Sequence, residues 1–487
     1  MTGFELWTRA LGAVVVGGPV ALTVALGGAS LLGRPPREER TSRLVEATIV
    51  SGLLATLAML VTMLATGSRR VAVDFGEWVA VADSYHFRIK FVFDRLSVPV
   101  AILSFVLIGT IGAFASRYLH RERGFNRFFV LYSVFALGMI ATSLAGTMET
   151  LFAGWELVGL SSALLVGFYH ERRAPSRNAL WVWSVYRFSD AALLLAVVTM
   201  HRLRGAGDLD VLFGFAAWPE ARADVTAAQA FLVGLLLLTA AAGKSALAPF
   251  SGWLPRAMEG PTPSSAVFYG ALSVHLGAFL LMRTSPLWER SLAMGALVAA
   301  LGLATAAFAH VVGAAGTDIK SALSFASLAQ VGMIVAETGA AGVAGWVGGR
   351  ASGDVAVAAA AAAVWLRYVA LAHFLGHACL RTLQFLRAPT LLHDYHQLEN
   401  AIGEGAPRPT AAAGRRGDAR AEARRYRFAL ERGFLDAALT TFVAAPFTRA
   451  LRRCDSLERR WTDWLSGEPS RESDQVKPRP GTFDEVL

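Results

Sequence analysis

The chain has 487 residues, of which 54% are hydrophobic and 17% charged, with a mean hydropathy of +0.45 and a formal net charge of +9. This composition excludes a soluble globular domain, and repeated apolar stretches of about 18 or more residues predict an all-α polytopic membrane protein. The cysteines, Cys379 and Cys454, stand far apart and in no metal-ligand spacing. We therefore expect no disulfide framework and no metal or redox cofactor in this chain, and no nucleic-acid partner.

The apolar segments predict about eleven transmembrane helices, each long enough to cross the hydrocarbon core. The first segment is too long for the apolar region of a signal peptide, and no small-residue cleavage site follows it. It is therefore expected to stay as a membrane helix. In chain order the segments are residues 11–33, 45–66, 97–117, 126–147, 149–169, 179–201, 228–253, 261–282, 288–312, 320–345 and 355–388.

The stretch between the second and third segments has a different pattern. Residues 71–93 are rich in β-branched and aromatic side chains and alternate in part between apolar and polar positions. This pattern predicts an extracytoplasmic β-hairpin, and an irregular loop is an equal alternative.

The charge of the connections predicts the orientation in the membrane. Arginines crowd the connections at 34–43, 117–127 and 171–177, which share one side if the N-terminus is outside, and the basic segment after Arg387 falls on that side too. Cytoplasmic connections carry the excess of arginine and lysine in membrane proteins. That side, with the C-terminus, is therefore predicted to be cytoplasmic.

The composition changes sharply near residue 390. Residues 403–427 are rich in Arg, Ala, Gly and Pro, which predicts a flexible cytoplasmic linker. Residues 434–465 predict an amphipathic helix, and the tail from Ser470 is expected to be disordered. We therefore predict four regions: the N-terminal helices with the hairpin at 1–90, the main membrane domain at 91–388, the linker at 389–431, and the amphipathic helix with the tail at 432–487.

Lysine is scarce, since every basic side chain other than Lys90, Lys244, Lys320 and Lys477 is an arginine. Lys244 lies inside the apolar segment 228–253. Arginine keeps its proton in proteins, whereas a buried lysine can lose its proton near neutral pH. A lysine at this depth therefore indicates a group that gains and loses a proton.

Further ionisable side chains, Glu156, His373 and His377, lie inside apolar segments. A charged group in hydrocarbon costs at least about 2.5 to 3.5 kcal/mol, so each should face protein or a water-filled cavity. His373, His377 and Arg381 are spaced four apart and project from one helix face, as a proton pathway requires. The alternatives are a structural ion pair for Glu156 with Lys244, and structural histidines.

Three weaker features complete the candidate site. Lys320 shares a helix face with Ser324 and Ser327, but a lysine so near a helix end can also snorkel to the surface. Arg187 and Asp190, at i and i+3, are expected to neutralise one another rather than to transport anything. Pro249 should break the seventh helix, and broken membrane helices are tolerated chiefly where they are buried in protein or line wet cavities.

A longer signature surrounds Lys244 and resembles that of the antiporter-like subunits of respiratory complex I and of Mrp-type cation/proton antiporters. The resemblance covers about residues 90–388 and implies an antiporter-like fold, in which Glu156 and Lys244 form the proton-loading pair. It also implies that His373, His377 and Lys320 take part in the proton relay. The motifs are Gly243-Lys244-Ser245-Ala246, Pro249, Trp253-Leu254-Pro255, Ala257-Met258-Glu259-Gly260-Pro261-Thr262-Pro263-Ser264-Ser265-Ala266, Trp155-Glu156, and Asp318-Ile319-Lys320 followed by Ser327, Gln330 and Gly332.

Three features depart from that pattern. Tyr269 stands where the family commonly has a histidine, and His275 falls on a different face. Arg381, which cannot release its proton, stands where a lysine is common. The transmembrane pattern ends near residue 388, so the second half is shortened and the later broken helix that carries an exit lysine has no evident counterpart.

With these departures, the chain resembles the membrane subunit of DAB-type inorganic-carbon accumulation complexes. This resemblance implies a bacterial inner membrane location and a large soluble zinc-containing partner similar to β-carbonic anhydrases, which would hold the zinc. His393 and His396 could be read as a metal pair, but a polar contact in a docking loop is the favoured interpretation. The segments that carry the resemblance are Phe268 to His275, His393 to Gly403, and Leu457 to Asp463.

The sequence thus predicts a transporter subunit rather than an enzyme, conducting protons or sodium to energise accumulation of CO2 or bicarbonate by that partner. Two alternatives stay open: a proton or sodium antiporter-like subunit of a respiratory, hydrogenase or Mrp assembly, and a mainly structural membrane anchor. In the favoured hypothesis Lys244 is the central titrating group, Glu156 tunes it, and His373 and His377 pass protons onward.

Overall fold

The structure is a computed structural model that describes residues 3–81, 85–214, 216–315, 319–402 and 419–466. Residues 403–418 of the predicted linker, the predicted tail from Ser470 and the side chains of His393 and His396 lie outside the described part of the chain.

The described residues contain eleven helical spans that are long and apolar enough to cross a membrane, which agrees with the predicted number. In chain order the helices are α1 (Gly3–Leu31), α2 (Glu38–Thr66), α3 (Ser97–Tyr118), α4 (Phe125–Leu144), α5 (Met148–Val166), α6 (Arg173–Arg204), α7 (Leu209–Phe213), α8 (Ala227–Lys244), α9 (Trp253–Arg256), α10 (Thr262–Ser265), α11 (Leu276–Arg283), α12 (Ser285–Trp288), α13 (Leu292–Gly313), α14 (Ile319–Gly348), α15 (Gly353–Ile402), α16 (Ala419–Leu430), α17 (Leu435–Leu439) and α18 (Ala445–Ser466).

The stretch after α2 forms a β-hairpin, and the alternative of an irregular loop is wrong. Strands β1 (Arg70–Val81) and β2 (Tyr85–Asp94) pair antiparallel. Val71, Val73 and Phe93 are buried against the helices, as the partial alternation of the sequence requires. Because the spans alternate in direction, the connections after α4, α6, α11 and α14 share the side of the hairpin, which we call the hairpin side.

The seventh span is broken, as predicted, but the break begins at Lys244 rather than at the proline. Ala246 adopts a positive φ of 56°, and the chain resumes as a short 3-10 turn at Phe250–Gly252. The carbonyls freed at the end of α8 find partners: Trp253 Nε1 donates to Gly243 O over 2.9 Å, and Leu247 N donates to Ala242 O over 2.9 Å. The break is therefore stabilised by its own hydrogen bonds.

The eighth span, Thr262–Arg283, is fully buried and forms the centre of the bundle. It is not one regular helix. A π-helical segment at Ala266–Ala271 and a 3-10 turn at Ser273–His275 separate α10 from α11. Such irregular backbone in a membrane is tolerated because surrounding protein satisfies it, and π-helical turns frequently mark functional sites.

Outer helices pack around this centre with their apolar faces exposed. Helix α14 packs against both α13 and α15, and the backbones of α13 and α14 approach closely at Gly302, where a Cβ atom would lie 2.4 Å from Ala336 N. Small residues at such crossings permit tight helix packing in membranes. Exposed side chains such as Val24, Leu64 and Trp365 indicate the surface that faces lipid.

Two compact units divide the chain at residues 1–416 and 417–487. In the first, α15 continues without interruption to Ile402, so the first residues of the predicted linker are helical. The second contains α16, α17 and α18. Helix α18 is strongly amphipathic, with the exposed apolar side chains Phe447, Leu451, Trp461 and Trp464.

Candidate functional site

Lys244 is fully buried at the last residue of α8. Its ammonium group lies 3.6 Å from Asp190 Oδ1 and donates a hydrogen bond to the carbonyl of Trp155 over 3.2 Å. The rings of Trp155 and Tyr186 lie 4.9 and 4.4 Å from Nζ, close enough for cation–π attraction. The site therefore stabilises a charged lysine with one carboxylate, one carbonyl and two aromatic faces.

The carboxylate of Asp190 connects Lys244 to two further groups. Asp190 is 2% exposed and accepts hydrogen bonds from Trp155 Nε1 at 2.6 Å and from Arg187 at 2.8 Å. Arg187 also forms an ion pair with Glu156. Two carboxylates and two cations thus form one row, ordered Glu156, Arg187, Asp190, Lys244, which we call the lysine cluster.

This order differs from the expected pairing. The carboxylate in ion-pair contact with Lys244 is Asp190, while the direct partner of Glu156 is Arg187. Arg187 and Asp190 do pair, as their spacing predicted, but Asp190 also serves Lys244. Sequence reasoning treated Asp190 as neutralised, because spacing within α6 gives no information on which side chain of α8 lies opposite.

Three helices position the lysine cluster. Glu156 comes from α5, Arg187 and Asp190 from α6, and Lys244 from α8. Gly159 makes room for the ammonium, since a Cβ atom there would lie 2.6 Å from Lys244 Nζ. The cluster therefore depends on close packing of α5 and α8 as well as on the charges themselves.

A second row of polar groups lies across α14, α15 and the 3-10 turn that precedes α11. His275 Nε2 lies 2.8 Å from His377 Nδ1, and the ring centroids of His373 and His377 are 6.3 Å apart. His373 contacts Glu337 Oε1 at 3.0 Å through Nδ1 and Gln330 Oε1 at 3.0 Å through Nε2. We call these residues the histidine cluster.

Arg381 fixes the hydrogen bonding of this cluster. Its Nε donates to His377 Nε2 over 3.2 Å. Because arginine is always a donor, His377 Nε2 must accept, and in a neutral ring the proton then sits on Nδ1. His377 therefore donates to His275, and Nε2 is not free to take a proton while the bond to Arg381 stands.

Sequence reasoning missed two members of the histidine cluster. His275 was placed on a different face from the expected histidine, yet the 3-10 turn at Ser273–His275 brings it onto His377. Glu337 was not singled out, although an acidic residue inside the apolar tenth segment was a signal that could have found it. The structure does bring His373 and His377 together on one face of α15.

Several buried polar atoms on the helices that carry the two clusters have no hydrogen-bond partner among the described residues. Buried polar groups are almost always bonded, to protein or to water. The hydroxyls of Ser162 and Ser273 lie beside Tyr186, whose ring in turn contacts Lys244. The unpartnered atoms are Tyr186 Oη, Tyr269 Oη, Ser273 Oγ, His275 Nδ1 and Ser327 Oγ.

Lys320 lies at the start of α14 and is half-buried, so it is less enclosed than Lys244. Ser324 and Ser327, on the same helix, are fully buried. Ser324 donates to the carbonyl of Ser321 over 2.7 Å. Asp318, the first residue of the expected motif, lies outside the described residues.

A separate buried ion pair joins the hairpin to the eighth span. Asp94 Oδ2 and Oδ1 accept hydrogen bonds from Arg283 at 2.5 and 3.1 Å, and Oδ1 also accepts from the backbone amides of Leu96 and Ser97. Burial raises the pKa of Asp94, but Arg283 and the bonds from Ser97 outweigh it and leave the pKa below its ordinary value.

No group of three or more His, Cys, Asp or Glu side chains that could hold a metal ion occurs among the residues that the structure describes. Cys379 and Cys454 are free and exposed.

Residues 125–349 match the family model described as NADH:quinone oxidoreductase/Mrp antiporter, TM, and residues 78–129 match that of NADH-ubiquinone oxidoreductase (complex I), chain 5 N-terminus. The structure is similar to a chain in the solved Mrp complex from Dietzia sp. DQ12-45-1b, with a TM-score of 0.59 and 19% identity, covering 97% of this chain and 61% of that one. The antiporter-like fold is thereby confirmed.

Sequence relatives come from the same group of proteins as the family models. NADH-ubiquinone oxidoreductase chain 5 of Schizophyllum commune is 29% identical over 336 residues, which cover 68% of this chain and 44% of that protein. NADH-quinone oxidoreductase subunit L of Rhodobacter capsulatus is 29% identical over 333 residues, which cover 65% and 42%. The chain thus spans less than half the length of these two relatives. The chain is thus similar to complex I subunit 5 and to Mrp antiporter-like membrane subunits.

Proposed function

We propose that this chain is a proton-conducting antiporter-like subunit of a membrane assembly, with Lys244 as the group that gains and loses the proton. The observation that carries the proposal is the complete burial of Lys244 beside Asp190 and the Trp155 carbonyl. An ionisable residue at this depth is costly, and in membrane proteins such residues mark ion pathways.

The lysine cluster supplies a switch for this proton. Arg187 holds both Glu156 and Asp190, so Asp190 is shared between Arg187 and Lys244. Two unit charges about 4 Å apart attract by about 4 kcal/mol at an effective dielectric near 20. A shift of Asp190 toward Arg187 would weaken the stabilisation of charged Lys244 by a comparable amount. A proton that crosses about 100 mV gains about 2.3 kcal/mol, which is of the same order.

The unpartnered hydroxyls give the proton its route. Water bridging Tyr186, Ser273 and His275 would join Lys244 to the histidine cluster, since buried water typically bonds groups that lack other partners. From His275 the row leads to His377, and His373 lies next, with its ring centroid 6.3 Å from that of His377 and its Nδ1 in contact with Glu337. A proton passes His377 only when the bond from Arg381 opens, because Nδ1 already carries a proton and Nε2 is occupied by Arg381. Because Arg381 is bonded to His377, the proton is expected to pass to Glu337 on α14 rather than along α15 beyond His377.

The finer proposal is that this flux energises uptake of inorganic carbon by a soluble zinc-containing partner similar to β-carbonic anhydrases, in a bacterial inner membrane. Its support is the resemblance of Phe268 to His275, His393 to Gly403 and Leu457 to Asp463 to the membrane subunit of DAB-type complexes. A subunit of a complex I or Mrp assembly fits the fold and the family matches as well.

Substitution of Lys244 in the purified native assembly tests the conduction proposal. Proton flux is measured in proteoliposomes with a pH-sensitive dye under an imposed potential. We expect Lys244→Arg, which keeps the charge but cannot titrate, to abolish flux as fully as Lys244→Ala. Lys90→Arg, in the hairpin, is the matched control and should conduct normally. Substantial flux in Lys244→Arg would refute the titration role, and no flux in the wild type would favour a structural anchor.

A second experiment identifies the partner. Mass spectrometry of the proteins that co-purify with the N-terminally tagged chain, extracted in mild detergent, distinguishes the two assemblies. A large soluble zinc protein at stoichiometric level supports carbon accumulation. Other antiporter-like or quinone-linked subunits would place the chain in a respiratory or Mrp-type assembly instead.

A further inference from the structure

A cavity of about 200 Å³ opens on the hairpin side, away from both the lysine and the histidine clusters. Its walls come from the connections after α6 and α12 and from the facing ends of α14 and α15. The charged side chains that line it are Arg222, Arg290, Arg350, Arg367, Glu220 and Glu289.

The arginines of this cavity outnumber the available carboxylates. Glu289 forms a two-point ion pair with Arg367, with Arg367 Nε 3.3 Å from Oε1. Glu220 faces Arg95, at 3.4 Å. Within the described part of the chain, Arg222, Arg290 and Arg350 form no ion pair with any carboxylate. Three exposed arginines without an ion-pair partner among the described residues therefore line one cavity, where Glu289, already paired with Arg367, is close enough to attract Arg222.

These arginines lie on the side of the membrane where arginine is less common. The hairpin side is the predicted extracytoplasmic side, where membrane proteins carry fewer arginines than on the cytoplasmic side. The arginines of this cavity therefore run against the general charge bias of the chain. Mutual repulsion among unpaired cations is unfavourable, and a bound anion would relieve it.

Apolar side chains form part of the cavity wall. Trp346 lies under the Arg350 guanidinium, which is 4.3 Å from the ring centroid, and Ala360 and Val364 of α15 line the cavity below it. Trp365, the next residue of α15, is exposed and apolar. A ligand with a charged group at the arginines and an apolar part along α15 would fit this arrangement.

We propose that this cavity binds an oxyanion through Arg222, Arg290 and Arg350, carried either by the phosphate of an acidic phospholipid or by a free ion such as phosphate or bicarbonate. The planar guanidinium bonds such oxygens in pairs, and its bonds to a charged acceptor are short and strong. Arg367 is already paired with Glu289, so it holds the cavity wall in place and is not expected to bind the ligand. This site is independent of the proposed proton conduction.

Binding of fluorescent phosphatidylglycerol to the delipidated full-length chain in detergent tests the proposal. The variant Arg222→Gln with Arg290→Gln and Arg350→Gln should bind about tenfold more weakly or worse, since it removes three charge-assisted contacts. The matched control removes three exposed arginines from the opposite side, Arg172→Gln with Arg173→Gln and Arg177→Gln, and should change affinity less than about twofold.

Competition then distinguishes the two sources. If millimolar phosphate or bicarbonate displaces the lipid probe from the wild type but not from the triple variant, the site binds free oxyanions. If neither displaces it, the ligand is the lipid headgroup. Equal affinity of the triple variant and its control for phosphatidylglycerol, phosphate and bicarbonate would overturn the proposal. If the triple variant fails to fold, the three single variants carry the same test.

Discussion

Two groups of charges in this protein are each centred on a buried carboxylate but are arranged differently. Asp94 and Arg283 form a closed pair, in which one carboxylate meets one guanidinium at two points and the backbone amides of Leu96 and Ser97 complete the bonding. In the lysine cluster, Asp190 is shared by Arg187 and Lys244. A closed pair has a single low-energy arrangement, whereas a shared carboxylate has two.

The difference indicates which buried charges hold the fold and which can serve transport. The closed pair ties the hairpin to the end of the central span, and its breakage should affect folding. The lysine cluster can redistribute its contacts without leaving any charge alone, which is the property that a proton switch needs. Four predictions test this contrast, ordered from the largest expected effect to the smallest.

Asp94→Asn should lower the free energy of unfolding by about 3 to 5 kcal/mol, because Arg283 would stay buried without a counter-charge. Denaturant unfolding of the detergent-purified protein measures it. The control is Asp74→Asn, which removes a half-exposed contact to Arg88 at 3.2 Å and should cost about 1 kcal/mol or less. Equal costs for the two variants would contradict a structural role for the closed pair.

Asp190→Asn should reduce proton flux about a hundredfold, equivalent to about 2.7 kcal/mol, because Lys244 loses the carboxylate that pairs with it among the described residues. Flux per folded molecule in proteoliposomes measures the effect, and thermal unfolding separates it from loss of folded protein. If the variant unfolds more easily yet conducts normally, the lysine cluster is a structural group like the closed pair.

Arg187→Gln should have a smaller effect, a decrease in flux of about three- to tenfold, because the Arg187 side chain is 38% exposed and water can replace part of its interaction. The variant leaves Asp190 to Lys244 alone and removes the second arrangement. Arg204→Gln on the same helix, which loses an exposed contact to Asp224, is the control. Unchanged flux in Arg187→Gln would exclude the shared-carboxylate switch.

Acid should destabilise the fold through Asp94, with little effect near neutral pH. The pKa of Asp94 is lower in the folded state than in the unfolded state. Its stabilisation is therefore complete above the unfolded value, about 3.9, and disappears as pH falls through the lower folded value. The free energy of unfolding, measured from about pH 5 downward, should therefore fall more steeply with decreasing pH for the wild type than for Asp94→Asn. Parallel curves would assign acid sensitivity to other groups.

Much of this architecture could be predicted from local sequence. Runs of apolar residues predicted the spans, because crossing hydrocarbon demands length and apolarity that few other segments have. Pro249 predicted the broken seventh helix, although the break begins at Lys244. The β-hairpin was predicted only as one of two alternatives, since its alternation is partial.

The sequence predicted which residues belong to the site better than it predicted which of them are in contact. The cost of a charge in hydrocarbon singles out Glu156, Lys244, His373 and His377 without any knowledge of their neighbours. The same argument applied to Glu337 would have found the partner of His373.

The sequence by itself determined that this is a membrane protein of about eleven helices with a lysine at bilayer depth, because hydrophobic length and the cost of burying charge are local properties. Only the tertiary structure decided that Asp190 rather than Glu156 contacts Lys244, that the turn at His275 reaches His377, and that three arginines without an ion pair among the described residues share one cavity. These contacts join residues far apart in the chain, and helix packing, which local spacing does not encode, brings them together.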